Sequence, residues 1–277
     1  MMYKLLTRFG GCDQTSKLKI SVIVSTYNWP EALEQVLCGL RDQTLKPFEV
    51  IVADDGSGPE TAELIKNFAM PFPLHHVWHE DRGFRLAAIR NVGIRKSSGD
   101  YLIFMDGDCI PSPTYIQDHA ILARRGYWTA AKRILITKKG KRAGVGWDDV
   151  RKGAGHWLAL WKKGYINRPR RFIHIPGLAL ASQNRIGSVY GCNMAVWYSD
   201  VFRVNGFEES FTSYGGEDGD FSIRLLKAGI QSQHPPFSAM CFHIWHPERS
   251  GNNDFLLSNT KKSDSCLAVR GLSCYED

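Results

Sequence analysis

Ile20-Ser21-Val22-Ile23-Val24-Ser25 is a β-branched run that stops at Thr26-Tyr27-Asn28, after which Pro30 opens a stretch with Leu33, Val36, Leu37 and Leu40 at helical spacing. Proline suits the first helical turn and Asn28 a position near the cap. The pattern recurs at once. Phe48 to Ala53 runs into Asp54-Asp55-Gly56-Ser57-Gly58-Pro59, followed by a helix carrying Leu64, Ile65 and Phe68. A shorter third strand is expected around His76-Val77-Trp78. After Asp81-Arg82-Gly83 comes a helix with Leu86, Ile89 and Val92 or Gly93 on one face, and then the strand Tyr101-Leu102-Ile103-Phe104-Met105 leading into Asp106-Gly107-Asp108. Further on, 189–196 and 237–243 read as extended, 222–229 as a helix behind the glycine-rich loop 214–221, and 254–259 as a last helix before a polar end. Strands alternating with helices over short connections predict an α/β fold with a mainly parallel sheet covered on both faces, and ligand sites in such sheets gather at the carboxyl ends of the strands.

Length and composition add bounds. A chain of 277 residues with 43% hydrophobic content accommodates one large α/β domain. The opening residues lack an apolar core of signal-peptide length, and no stretch approaches the roughly 18 apolar residues of a membrane span, so the expected location is the cytoplasm, with any membrane contact peripheral. Seven scattered cysteines with no Cys-x-x-Cys spacing suggest reduced thiols and neither a zinc ribbon nor a disulfide framework. The net charge of +7 is concentrated: from Arg124 to Arg171 there are fifteen Lys or Arg against Asp148 and Asp149 alone. Trp128, Trp147, Trp157 and Trp161 lie in the same window. Basic residues interleaved with tryptophan suit an anionic membrane surface, a phosphorylated acceptor or nucleic acid, and a solvated insertion equally.

Polar residues close successive strands: Ser25 and Tyr27, Asp54 and Asp55, Asp106 and Asp108. Taken alone, Asp54-Asp55-Gly56-Ser57 and Asp106-Gly107-Asp108 also suit turns and helix caps. A carboxylate can accept a hydrogen bond from a nucleobase, a tyrosine ring can stack on it, and two carboxylates around one glycine can converge on a hard cation. There is no G-x-x-x-x-G-K-[ST] loop, and Gly56-Ser57-Gly58 lacks the third glycine of a dinucleotide fingerprint, which removes the main support for ATPase and dehydrogenase readings.

Together, residues 22–28, 50–57, Arg90-Asn91-Val92-Gly93-Ile94 and 99–108 resemble a family 2 glycosyltransferase. The resemblance implies the GT-A fold, a nucleotide-diphosphate-sugar donor, UDP-linked in the usual case, and Mn2+ or Mg2+ as cofactor. It implies that Ser25, Tyr27, Asp55, Arg85, Arg90, Asp106 and Gly107 serve the donor, and that Asp106 and Asp108 reach the metal. A histidine at the end of the 237–243 segment would complete the metal site, His243 first and His246 as the alternative. Tyr214-Gly215-Gly216-Glu217-Asp218 resembles the acceptor segment of inverting galactosyltransferases and chondroitin-type polymerases. That likeness implies acceptor contacts from Tyr214, Gly215, Gly216 and Glu217 and makes Asp218 and Glu217 the catalytic pair, Asp218 the general base and Glu217 an acceptor ligand or orienting partner, while the plain physical reading of Glu217, Asp218 and Asp220 is favourable charge at a helix start. The expected organisation is a tail (1–18), one GT-A domain (19–250) and a second tail (251–277). The domain comprises a nucleotide-sugar half (19–115), a basic aromatic insertion (116–187) and an acceptor or catalytic half (188–250). The expected activity is inverting transfer to a glycan or lipid-linked glycan in surface polysaccharide synthesis, with anionic membrane as a peripheral partner and no nucleic acid. The alternatives are a sugar-nucleotide nucleotidyltransferase, which wants a glycine-rich basic loop where 25–30 has neither glycine nor a basic residue, and a nucleic-acid-binding protein using 124–171.

Overall fold

A nine-stranded sheet runs through the computed structural model, which describes residues 4–6, 18–182 and 191–275. Strand β1 (Lys4–Leu6) lies at one edge. The other half is β2 (Ile20–Thr26), β3 (Glu49–Asp54), β4 (Leu74–Trp78) and β5 (Tyr101–Asp106), in the order β5-β2-β3-β4 and parallel throughout. Every residue of β2 and β3 is buried, as continuous apolar runs in a doubly covered parallel sheet should be. Helices α1 (Pro30–Arg41), α2 (Pro59–Asn67) and α3 (Leu86–Lys96) connect them. The period of two along β2 sends Ile20, Val22 and Val24 into one core with Leu33, Val36 and Leu37 of α1. Ile23 joins the other core with Ala87, Ile89 and Ile94 of α3. Gly93 permits the close approach of α3 to β2, because a Cβ there would stand 3.0 Å from Ile23 Cγ2.

Beyond β5 the chain forms β6 (Cys109–Pro111), α4 (Tyr115–Leu122), β7 (Tyr127–Ala130), β8 (Arg133–Leu135), α5 (Lys138–Arg142), α6 (Trp147–Val150), α7 (Ala154–Lys162) and β9 (Ala179–Ser182). There follow β10 (Asn193–Trp197), α8 (Tyr198–Arg203), α9 (Glu217–Lys227), β11 (Gln231–His234), β12 (Cys241–His243) and α10 (Asp254–Lys262). Here the large sheet is mixed: β10 lies antiparallel to both β5 and β7, and β11 parallel to β7 but antiparallel to β9. The parallel character read from the sequence belongs to β5-β2-β3-β4. A second, three-stranded sheet in the order β6-β12-β8 pairs His243 with Cys109 on one side and with Leu135 on the other.

Several expected elements differ in extent. The 237–243 segment is a strand only over Cys241–His243, because Ala239 turns with φ +53° and its amide is held by Asp118 Oδ2 at 2.9 Å. The helix behind the glycine-rich loop begins at Glu217, inside the stretch 214–221 read as loop, and puts Glu217, Asp218 and Asp220 in its first turn, where the reading of favourable charge at a helix start has them. Of the expected extended segment 189–196, positions 189 and 190 lie outside the described residues, and the strand starts at Asn193. The tryptophans of the basic window are mostly core: Trp128, Trp147 and Trp157 are buried, and Trp161 alone of the four is exposed. Their interleaving with cations therefore reflects the inner faces of β7, α6 and α7, while Lys138, Lys139, Lys141 and Arg142 of α5 remain outside. The polar end expected as a tail packs back on the body through buried Ala268 and Leu272, and Thr260 of α10 donates to Asp220 Oδ1 of α9 at 2.6 Å. No helix among the described residues is long and apolar enough to cross a membrane.

Candidate active site

The parallel register places the polar strand ends side by side, Ser25 beside Asp106 and Thr26 beside Asp54. Ser25, Thr26 and Asp106 border a cavity of about 300 Å³ whose lining also includes Tyr27, Asp55, Gly107, Asp108, Tyr214, His243 and His246. Trp29, Phe84, Arg133 and Arg249 also line it. None of these four carried a motif; Arg133 was one cation among fifteen in the basic window.

One end of the cavity suits a planar base. Tyr27 is 39% exposed and its hydroxyl donates to Asp81 Oδ2 at 2.9 Å, which holds the ring in place and raises its pKa. Asp55 is buried, with His79 Nε2 at 2.6 Å from Oδ1 and the Arg85 amide donating to Oδ2 at 3.0 Å. Each carboxylate oxygen has a second lone pair, so this anchoring leaves acceptor capacity. Arg85 meets Asp55 through its backbone, while its guanidinium donates to the Glu80 carbonyl at 2.6 Å. Gly107 is needed where it stands: its amide donates to Ser25 O at 2.7 Å, and a Cβ would lie 3.1 Å from that oxygen and from Thr26 Cβ.

At the other end three donors converge. Asp108 Oδ2 lies 3.6 Å from His243 Nε2 and 3.3 Å from His246 Nε2, and the two imidazole nitrogens are 3.2 Å apart. The register of β6 with β12 and a bond from the Ile244 amide to Asp108 O at 2.8 Å fix this meeting. His246 Nδ1 donates to the Pro247 carbonyl at 2.7 Å, which leaves Nε2 as the atom facing Asp108. Bonds of about 2.1 Å to one ion give ligand edges of about 3.0–3.4 Å, so the spacing and the mixed O/N donor set fit a divalent metal. Burial raises the Asp108 carboxyl, but the bond from His246 and the charges of both imidazoles outweigh it and hold it below the usual carboxylate range. Burial lowers His243, whereas the bond to Asp108 raises His246. The two histidines offered as alternatives thus stand together.

Asp106 is not in that set. Its Oδ1 meets Arg90 Nη2 at 3.1 Å, and Arg90 Nη1 meets Glu217 Oε1 at 3.2 Å. Arg90 is 1% exposed and donates from Nε to Ser25 Oγ at 3.2 Å. Rather than lining the cavity, it binds β2, β5 and α9 together from below. Burial pushes the Asp106 and Glu217 carboxyls up to about 7, against the pull of Arg90. Asp218, in the first turn of α9, does not line the cavity either; its Oδ2 accepts from the Gly191 amide at 2.8 Å. Gly191 lies between the two groups, since a Cβ on it would stand 3.0 Å from Arg90 Nη2 and 3.2 Å from Asp218 Cβ. Gly215 and Gly216 take φ of +84° and +99°, and Tyr214 beside them packs edge-on against Phe84 at 6.0 Å between ring centroids.

Known proteins share this frame. The model "Glycosyl transferase family 2" matches residues 21–172, and "N-terminal domain of galactosyltransferase" matches residues 178–247. Chondroitin synthase of Escherichia coli is 26% identical over 248 residues, covering 85% of this chain and 36% of that protein. Validoxylamine A glucosyltransferase of Streptomyces hygroscopicus subsp. limoneus is 29% identical over 230 residues, covering 76% of this chain and 48% of that protein. The chain thus spans between a third and a half of the length of these relatives. Among solved structures, GalNAc-T7 with UDP, GalNAc and Mn2+ aligns with a TM-score of 0.58 at 16% identity, over 83% of this chain and 44% of that one. The mannosyltransferase PcManGT from Pyrobaculum calidifontis, in complex with GDP-Man and Mn2+, aligns with a TM-score of 0.57 at 20% identity, over 83% and 58%. These likenesses show the shared GT-A fold. With the first model matching more than half of its length, the chain belongs to glycosyl transferase family 2.

Proposed function

We propose that the protein transfers a sugar, with inversion, from a UDP-sugar to a hydroxyl of a glycan or lipid-linked glycan acceptor. The observation that carries this reading is the single cavity with an aromatic and acidic base pocket at Tyr27 and Asp55 and the Asp108-His243-His246 donor set at its other end. That layout suits a nucleotide joined to a diphosphate. GalNAc-T7, bound to UDP and Mn2+, has the same fold. Tyr27 stacks on the base and Asp55 accepts its N–H. Asp108, His243 and His246 would hold Mn2+ or Mg2+, which when bound supplies positive charge for the departing diphosphate. Asp218 takes the proton of the attacking hydroxyl, with the Gly191 amide holding its Oδ2 and the Gly219 amide its Oδ1. Arg90 keeps Asp106 and Glu217 in place below the sugar. A single displacement on an α-linked donor gives a β-linked product and requires no covalent enzyme intermediate. We place the reaction at the cytoplasmic face of a membrane where surface polysaccharide is built, with the cations of α5 turned to anionic acceptor or lipid.

The test is a panel of nucleotide sugars, scored by hydrolysis and thermal shift with and without Mn2+. A metal-dependent response to a UDP-sugar supports the donor and the metal; silence across the panel overturns both. With acceptor in hand, Asp218→Asn should lower kcat by on the order of 10²-fold or more while donor binding persists. Undiminished turnover would show that the base is another group.

A further inference from the structure

Three thiols that transfer chemistry does not use lie directly behind the Asp-Gly-Asp turn. Cys109, Cys192 and Cys241 come from β6, the residue before β10, and β12, and all three are buried. Each is in side-chain contact with the other two. A carboxylate oxygen of Asp106 and the sulfurs of Cys109 and Cys192 lie within 4.8 Å of one another. Arg133 Nη1 approaches Cys192 Sγ at 3.4 Å, and Arg90 reaches Asp106 at 3.1 Å. The side chain of Asp106 is 34% exposed, so the cluster opens to the cavity through it.

We propose that Asp106, Cys109 and Cys192 form a second metal site, selective for a thiophilic divalent ion such as Zn2+ or Cd2+, whose occupation inhibits the enzyme by drawing Asp106 away from Arg90. Two sulfurs and one oxygen supply three donors of the sulfur-rich kind such ions prefer, and a harder ion selects the oxygen and imidazole set of Asp108 instead. On binding, the thiol protons leave to solvent and the thiolates and carboxylate exceed the charge of the ion. The guanidinium groups of Arg90 and Arg133 stand where that excess needs compensation. The two aspartates of one motif therefore belong to donor sets of opposite softness. Binding is independent of the transferase reading; inhibition rests on it.

The test is titration of the reduced full chain with Cd2+, followed by the ultraviolet thiolate-to-metal charge-transfer band. The band should saturate at one equivalent, vanish in Cys109→Ser and Cys192→Ser, and persist in His243→Ala and in a triple Cys38→Ser, Cys266→Ser, Cys274→Ser variant. Absence of the band in the wild-type protein overturns the site whatever the variants do, as does its persistence without Cys109 and Cys192 or its loss in the triple variant. Loss in His243→Ala would make the imidazole part of the thiolate site and overturn the separation. A band that forms while transfer from a turned-over donor continues undiminished overturns the inhibitory part. A donor panel that stays silent counts against the transferase reading and leaves the spectroscopic result standing.

Discussion

Replacing Arg90 by methionine removes the cation that two raised carboxyls share. Arg90 is 1% exposed, with Asp106 at 3.1 Å and Glu217 at 3.2 Å, so the change leaves Glu217 in a buried setting with no countercharge. Deleting one partner of a buried ion pair costs about 3–5 kcal/mol, which for a chain of this size lowers Tm by on the order of 10 °C. The cost must depend on pH. In the wild-type protein Glu217 titrates at about 7, well above its unfolded value, so the folded state holds an extra proton between roughly pH 4.5 and 7 and loses stability as pH rises through that window. Without Arg90 the folded pKa moves higher still, and the loss continues past pH 7. The gap between the two proteins therefore widens above neutrality, by up to about 1.4 kcal/mol per pH unit from Glu217 until it ionises. Asp106 adds less, being a third open to the cavity. At pH 5, where Glu217 is protonated in both proteins, its charge drops out of the difference. The assay is urea unfolding of both proteins in chelator at pH 5, 7 and 8.5. A cost that is the same at all three values, or smaller at pH 8.5 than at pH 5, would refute the account of Arg90 as the counterion of a strained carboxyl pair.

Other outcomes follow from single groups. Tyr27→Ala should raise the donor Kd by roughly 5- to 150-fold, from about 1–3 kcal/mol of stacking, with kcat at saturating donor little changed, as isothermal titration and steady-state rates would show. Gly107→Ala forces a methyl to within 3.1 Å of Ser25 O and Thr26 Cβ and should lower both Tm and donor affinity. His119 is fully buried and burial lowers it to about 4, so the folded state binds fewer protons than the unfolded chain between about pH 4 and 6.5. Stability should fall as pH drops through that range, by up to about 3 kcal/mol, and His119→Gln should flatten the slope in acid denaturation.

The half of the fold that could be read from the chain is the half whose strands are continuous apolar runs. Ser21 and Glu49 are buried within them, and Ser21 Oγ donates to Glu49 Oε1 at 2.6 Å, so even their polar exceptions are paired locally across the sheet. The other half hides from a hydrophobic pattern. Strand β11 reads Gln-Ser-Gln-His, yet Ser232 and Gln233 are buried, because Gln233 Nε2 donates to Leu122 O at 2.7 Å and Thr129 Oγ1 at 2.8 Å, partners more than a hundred residues away. The grouping of Cys109, Cys192 and Cys241 is equally non-local: no spacing encodes it, and the small sheet and the start of β10 create it.

The division of labour inside Asp106-Gly107-Asp108 also follows from geometry rather than from the motif. Along β5, Phe104 joins the core on the α3 side and Met105 the core on the α1 side. The alternation of a strand therefore carries Asp106 to the α3 side, where Arg90 waits on that helix. Gly107 then closes the turn onto Ser25 O, and Asp108 emerges just before β6, the strand that pairs with the one bearing His243. Two acidic residues two apart would share one side of an uninterrupted strand; the turn at Gly107 is what lets one serve as the partner of a buried cation and the other face two imidazoles.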